Sequence, residues 1–179
     1  MLNDIQQILI SEEQILARVE ELAKTLDHDY EGKKPLMVCI LKGSVLFFSD
    51  LVKRMTIRQD FDFMSVSSYG ASTYSSGNVK LIKDLNSSIE GRHVVIVEDI
   101  VDTGHTLSYL KKMLNERKPA SIKVCTLLDK KCRRTVDLEA EYAGFDIDDY
   151  FVVGYGLDYD EEYRNLPFVG VLKPEVYKK

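Results

Sequence analysis

The sequence predicts an α/β fold, a mostly parallel central sheet flanked by helices, on three observations. Apolar runs of strand length alternate with stretches whose apolar residues recur at helical spacing, the pattern of parallel strands joined by right-handed crossovers. No repeat or low-complexity linker divides the 179 residues, a length that suits one domain with a substantial core. A β-branched run, Val94–Val97, ends in acidic residues and then in small ones that open a helical pattern. In an open α/β sheet that strand-to-helix turn is where ligands sit.

The elements follow in order. Ser11-Glu-Glu-Gln14 has the form of a capping box, and Ile15, Val19, Leu22 and Leu26 follow at helical spacing, which predicts a helix from about Ser11 to Leu26. Leu36–Leu41 reads as a compact strand, after which Lys42-Gly43-Ser44 turns into a helix reaching about Met55. Phe61–Ser68 and Val79–Leu85 read as a strand and its hairpin partner. Their connection, Gly70–Asn78, carries no large aliphatic side chain and is longer than most hairpin loops; composition alone describes a solvated segment. Val94–Val97 is the next strand, a helix runs from about Gly104 to Arg117, Pro119 stops it, and Ile122–Leu128 is a further strand. The last third holds short strands at Phe151–Val153 and Phe168–Leu172.

Composition narrows the function classes. Hydrophobic residues make up 45% and charged residues 30%, an ordinary globular balance. A net charge of −5 offers no broad basic face, so neither a nucleic acid nor a membrane surface is an expected partner. No apolar run approaches a membrane span, and Met1–Ile5 lacks a basic-then-apolar signal pattern, so secretion is not expected. Cys39, Cys125 and Cys132 lack metal spacing; the first two lie in strand-like runs and read as buried thiols, in keeping with a cytoplasmic location. His28 and His93 read as ordinary surface or packing residues.

The chemistry concentrates in Val94-Val-Ile-Val-Glu-Asp-Ile-Val-Asp-Thr-Gly-His-Thr106. Small residues at a strand-to-helix turn let several amides converge on one anion, and the helix dipole reinforces them. Beside that cradle stand Glu98, Asp99 and Asp102. Carboxylates repel phosphate unless something else satisfies them, and ribose hydroxyls, a magnesium ion and a proton to be removed are the three obvious clients. Lys42-Gly43 is a second anion candidate, though a Lys-Gly turn alone means little.

This segment resembles the signature of the type I phosphoribosyltransferases, and Leu36 to about Lys173 is similar to their purine-salvage branch, the hypoxanthine (guanine) phosphoribosyltransferases. That branch often carries Lys where this chain has His105, which implies weaker electrostatics in the loop rather than lost function. The resemblance implies a single domain over 1–179, with a core at about 36–130 and a small hood over the carboxyl edge of the sheet, built from the N-terminal segment and about 131–179. It implies transfer of a 5-phosphoribosyl group from 5-phosphoribosyl-1-diphosphate to a purine, with Mg2+ as cofactor and association into homodimers or homotetramers.

Residue by residue, the resemblance assigns Thr103, Gly104, His105 and Thr106 to the 5-phosphate loop, and Glu98 and Asp99 to the ribose hydroxyls, directly or through magnesium. Asp102 matches the residue that takes the proton from N7 of the purine; its bland alternative is capping the following helix. Lys42 and Gly43, joined to Leu41 by a cis peptide, are assigned with Arg164 to the diphosphate. Lys130 is assigned to the oxygen at C6, Phe151 to stacking on the ring, Val152 to the base edge through its backbone, and Asp158 to a second magnesium-linked carboxylate. Ser68 and Tyr69 fall on a lid. Two alternatives stay open: a xanthine-directed relative, and a non-catalytic RNA-binding regulator of the same fold, which would lack base-site residues and carry a basic surface.

Overall fold

The computed structural model describes residues 1–68 and 79–178. Six strands form the main sheet in the order β4-β3-β2-β5-β6-β7: β2 (Leu36–Leu41), β3 (Asp60–Ser68), β4 (Val79–Lys83), β5 (His93–Val101), β6 (Ser121–Asp129) and β7 (Tyr142–Asp146). All its pairings are parallel except β3 with β4. This is the predicted class.

Both faces of the sheet are covered, and β5 shows why. Val95 and Val97 enter one buried cluster with α1 (Glu12–Asp29) and α2 (Val45–Arg54), while Val94 and Ile96 enter another with α3 (His105–Asn115). Successive strand residues point to opposite faces, so a four-residue apolar run fills two cores at once. Each of these fully buried side chains contributes about 1.5–3 kcal/mol of transfer free energy. The capping box forms as predicted: Ser11 Oγ accepts from the Gln14 amide at 3.3 Å and the Ser11 amide donates to Gln14 Oε1 at 2.9 Å. Ile15, Val19, Leu22 and Leu26 are all buried, as are Cys39 and Cys125.

Two strands escape the sequence reading. β1 (Ile5–Ile10) pairs antiparallel with β9 (Val169–Leu172), which pairs with β8 (Val152–Val153), so the chain ends make a three-stranded hood. Half of β1 is exposed, and its partner lies at the far end of the chain, so no local pattern marks it. β7 contains Gly144, whose added Cβ would overlap the Leu127 carbonyl; it forms because its neighbour β6 supplies the ladder. The expected strand Val94–Val97 is longer than predicted, and Glu98 and Asp99 lie within β5 rather than in a turn after it. Ser68 ends β3; Tyr69 and the rest of the expected lid lie outside the described residues. Among the described residues no helix is long and apolar enough to cross a membrane.

Candidate active site

The carboxyl ends of β2, β5 and β6 open beneath the hood. β5 delivers Glu98, buried, and Asp99, half-buried. Asp99 Oδ1 accepts from the Ile100 amide at 2.7 Å. Burial first, and the neighbouring Asp99 charge second, raise the Glu98 carboxyl well above the usual carboxylate range. Burial also raises Asp99, against the pull of hydrogen bonds such as that from Ile100. Neither acid has an ion pair among the described residues.

After Val101 the chain turns through Asp102 and Thr103 to Gly104, which is the N-cap of α3 with φ of +87°. No side chain caps this helix, so the bland role for Asp102 is set aside and the first amides of α3 remain open to an anion. A hollow of about 150 Å³ runs from Glu98 through the loop to Leu107. The segment after β6 is hydrogen-bonded to this loop: the Thr135 amide donates to the Thr103 carbonyl at 3.2 Å, and Arg134 Nε donates to the Asp102 carbonyl at 3.1 Å. Arg134 also pairs with the buried Asp129. His105 Nε2 lies 2.9 Å from Thr135 Oγ1, a further tie between the loop and that segment.

A larger cavity of about 700 Å³ adjoins the hollow, and Asp99, Asp102, Lys130, Phe151, Val152 and Asp158 all line it. The structure therefore brings together every residue assigned to the base. Lys130 is 7% exposed, with Nζ 3.7 Å from Asp149. Arg133 Nε stands 3.1 Å from Asp102 Oδ1 and Nη1 3.4 Å from Asp149. The Arg133 contact lies outside hydrogen-bond alignment, because Asp102 Oδ1 is buried yet accepts from no donor. Phe151 stacks on Tyr177, centroids 4.5 Å apart and planes 14° apart, with Tyr159 edge-on at 5.7 Å. A separate cavity of about 420 Å³ lies behind Asp129 and Arg134, where those two charges satisfy each other.

The turn after β2 closes the site from the other side. The Leu41–Lys42 peptide is cis. A Cβ on Gly43 would overlap Asp99 Oδ2, and one on Gly156 would overlap the Gly43 carbonyl, so the turn, β5 and the hood meet without side chains between them. Arg164 Nη1 donates to the Gly156 carbonyl at 2.7 Å, and Nη2 lies 2.9 Å from Asp158. Lys42 Nζ bonds Glu161 at 2.9 Å and holds that exposed carboxyl below the usual range.

Among the described residues no three His, Cys, Asp or Glu side chains are gathered closely enough to hold a metal without other ligands. Two carboxylates facing one cavity, Asp99 and Asp158, do fit a cation that draws its other ligands from substrate oxygens and water.

Arg133, Asp149, Glu161 and Tyr177 were not singled out from the sequence. Arg133 lay in the basic run Lys130–Arg134, where solubility was sufficient reason for it; Tyr177, an aromatic beside the Pro174 turn, carried the only signal available.

A family model for the phosphoribosyl transferase domain matches residues 6–160. A hypoxanthine-guanine phosphoribosyltransferase of Bacillus subtilis (strain 168) is 53% identical over 178 residues, covering 99% of this chain and 99% of that protein. The bifunctional protein TilS/HprT of Listeria monocytogenes is 54% identical over 179 residues, and the chain spans 28% of its length. The crystal structure of a hypoxanthine phosphoribosyltransferase from Staphylococcus aureus matches with a TM-score of 0.97 at 52% identity, covering 100% of this chain and 97% of the other.

Proposed function

Since the chain belongs to the phosphoribosyl transferase family, we propose that it serves purine salvage, moving the 5-phosphoribosyl group of 5-phosphoribosyl-1-diphosphate onto hypoxanthine or guanine to give IMP or GMP and diphosphate. The observation that carries this reading is one cavity lined together by Asp102, Lys130 and Phe151, beside a helix start whose amides no side chain caps.

The 5-phosphate takes the amides and hydroxyls of Thr103–Thr106. Glu98 and Asp99 accept from the ribose hydroxyls. The base lies on Phe151, with its edge on the Val152 backbone and its 6-oxygen at Lys130. Adenine presents a donor at that place, which leaves a buried ammonium unmatched. As N9 bonds to the anomeric carbon and the bond to diphosphate breaks, Asp102 accepts the proton from N7. Lys42, the Gly43 amide and Arg164 hold the departing diphosphate. Mg2+, held through Asp99 and Asp158 with Glu98 behind, would neutralise charge building on the diphosphate. Association into homodimers or homotetramers belongs to the same reading and is checked by analytical ultracentrifugation.

A steady-state panel of hypoxanthine, guanine, xanthine and adenine with the sugar donor and Mg2+ tests reaction class and base choice together. Diphosphate release with the first two and not with adenine is expected; release with none of the four would end the reading, and release with xanthine alone would redirect it.

A further inference from the structure

The two cations assigned to the diphosphate already share an anion. Glu161 Oε2 lies 2.9 Å from Lys42 Nζ and 3.5 Å from Arg164 Nη2. The Glu161 amide donates to Asp158 Oδ2 at 3.0 Å, which ties the residue to the rim of the cavity. The side chains of Lys42 and Glu161 are 68% and 64% exposed, so this pair is screened and adds little to stability. Yet Asp160 and Glu161 adopt left-handed backbone, with φ of +53° and +64°, a conformation that non-glycine residues avoid. Two consecutive residues in that region cost the fold more than an exposed ion pair returns. What the turn achieves is a carboxylate placed between two cations that sit on different elements, one after β2 and one in the hood.

Resting on the reading above, we propose that Glu161 is an internal stand-in for the diphosphate: it bridges Lys42 and Arg164 when the site is empty, and the diphosphate group enters and leaves by exchanging with it. A carboxylate carries one charge and two oxygens, whereas diphosphate carries several of each, so the substrate wins the exchange but against a competitor. Glu161 therefore weakens diphosphate binding, keeps both cations positioned between turnovers and favours product release. It touches no reacting atom and is a positioning residue.

The test is Glu161→Gln in the full chain, since the amide keeps the shape and a hydrogen bond but loses the competing charge. Calorimetry with pyrophosphate and Mg2+ should show binding tightened about two- to fivefold, the range that loss of one exposed charge contact permits. The KM for the sugar donor should fall in parallel and the KM for the base should stay unchanged. Glu162→Gln removes the same charge one residue along, from an exposed side chain without an ion pair among the described residues, and should change neither. Unchanged or weaker pyrophosphate binding in Glu161→Gln, or equal tightening in both variants, overturns the proposal. Because calorimetry requires no turnover, a failure of the reaction panel and a failure of this exchange are read separately.

Discussion

The two walls of the cavity handle charge in opposite ways. At the end of β5, the buried Glu98 and the half-buried Asp99 are held by the sheet and have no ion-pair cation among the described residues. Around the opening, Lys42, Lys130, Arg133 and Arg164 each already face a carboxylate: Glu161, Asp149, Asp102 with Asp149, and Asp158. The sheet wall is a pair of adjacent acids without a cationic partner among the described residues. The rim is self-neutralised, and most of its partners are exposed, so they exchange at small cost.

Substitutions in the turns that leave β5 and β2 should produce the largest effects. Asp102→Asn keeps shape but cannot take a proton, and turnover should fall by roughly a hundredfold or more while base and donor still bind, measured by steady-state kinetics beside calorimetry. Near-normal turnover would remove the assignment. Gly43→Ala comes next. Its Cβ would overlap Asp99 Oδ2, which the sheet cannot move aside, so the carboxylate or the Lys42 turn must shift. A misplacement on the order of 1 Å near the reacting centre can cost a hundredfold; kcat/KM for the sugar donor should drop about ten- to a hundredfold, with a crystal structure showing which group moved.

The rim should respond more selectively. Lys130→Met should lower kcat/KM for hypoxanthine by about ten- to a hundredfold, the loss of one hydrogen bond from a charged donor, and should narrow the gap to adenine. A uniform loss for both bases would make Lys130 structural instead. The smallest effect belongs to a pair far from the cavity. Arg117 grips Asp84 with two bonds of 2.8 Å, and that hydrogen bond lowers the Asp84 carboxyl below its usual 3.8. A depressed carboxylate contributes stability above its unfolded value and loses it as pH falls through its folded one. Both side chains are about a third exposed or more, so Arg117→Ala should cost under about 1 kcal/mol at pH 7. Urea unfolding should show that difference fading below pH 3.8.

Much of the site was legible in advance because its chemistry is carried by contiguous residues. Val94–Thr106 encodes strand, acids, turn and helix start within one short stretch, and the alternation of Val94–Val97 follows from the geometry of an extended chain. Lys130 and Phe151–Asp158 could be assigned only through the resemblance to the phosphoribosyltransferases, which matches them residue by residue. The partners of those residues were not legible. Nothing in Arg133 or Asp149 announces that they meet at the rim of the cavity, nor in Tyr177 that it stacks on Phe151, because each meeting depends on where the hood settles.

By itself, then, the order of residues determined the class of fold, the position of the anion cradle and the identity of the acids beside it, since local periodicity, turn chemistry and strand alternation act over a few residues at a time. The tertiary structure alone decided that β1 and β9 join the chain ends into a hood and that Gly43, Gly156 and Asp99 touch. It also decided that Glu161 reaches Lys42 across more than a hundred residues of chain. Those contacts depend on the summed packing of distant elements, and the physical difference is range: a side chain's own preference is set by its neighbours in sequence, but the partner of a charge is set by whatever the folded chain brings within a few ångströms.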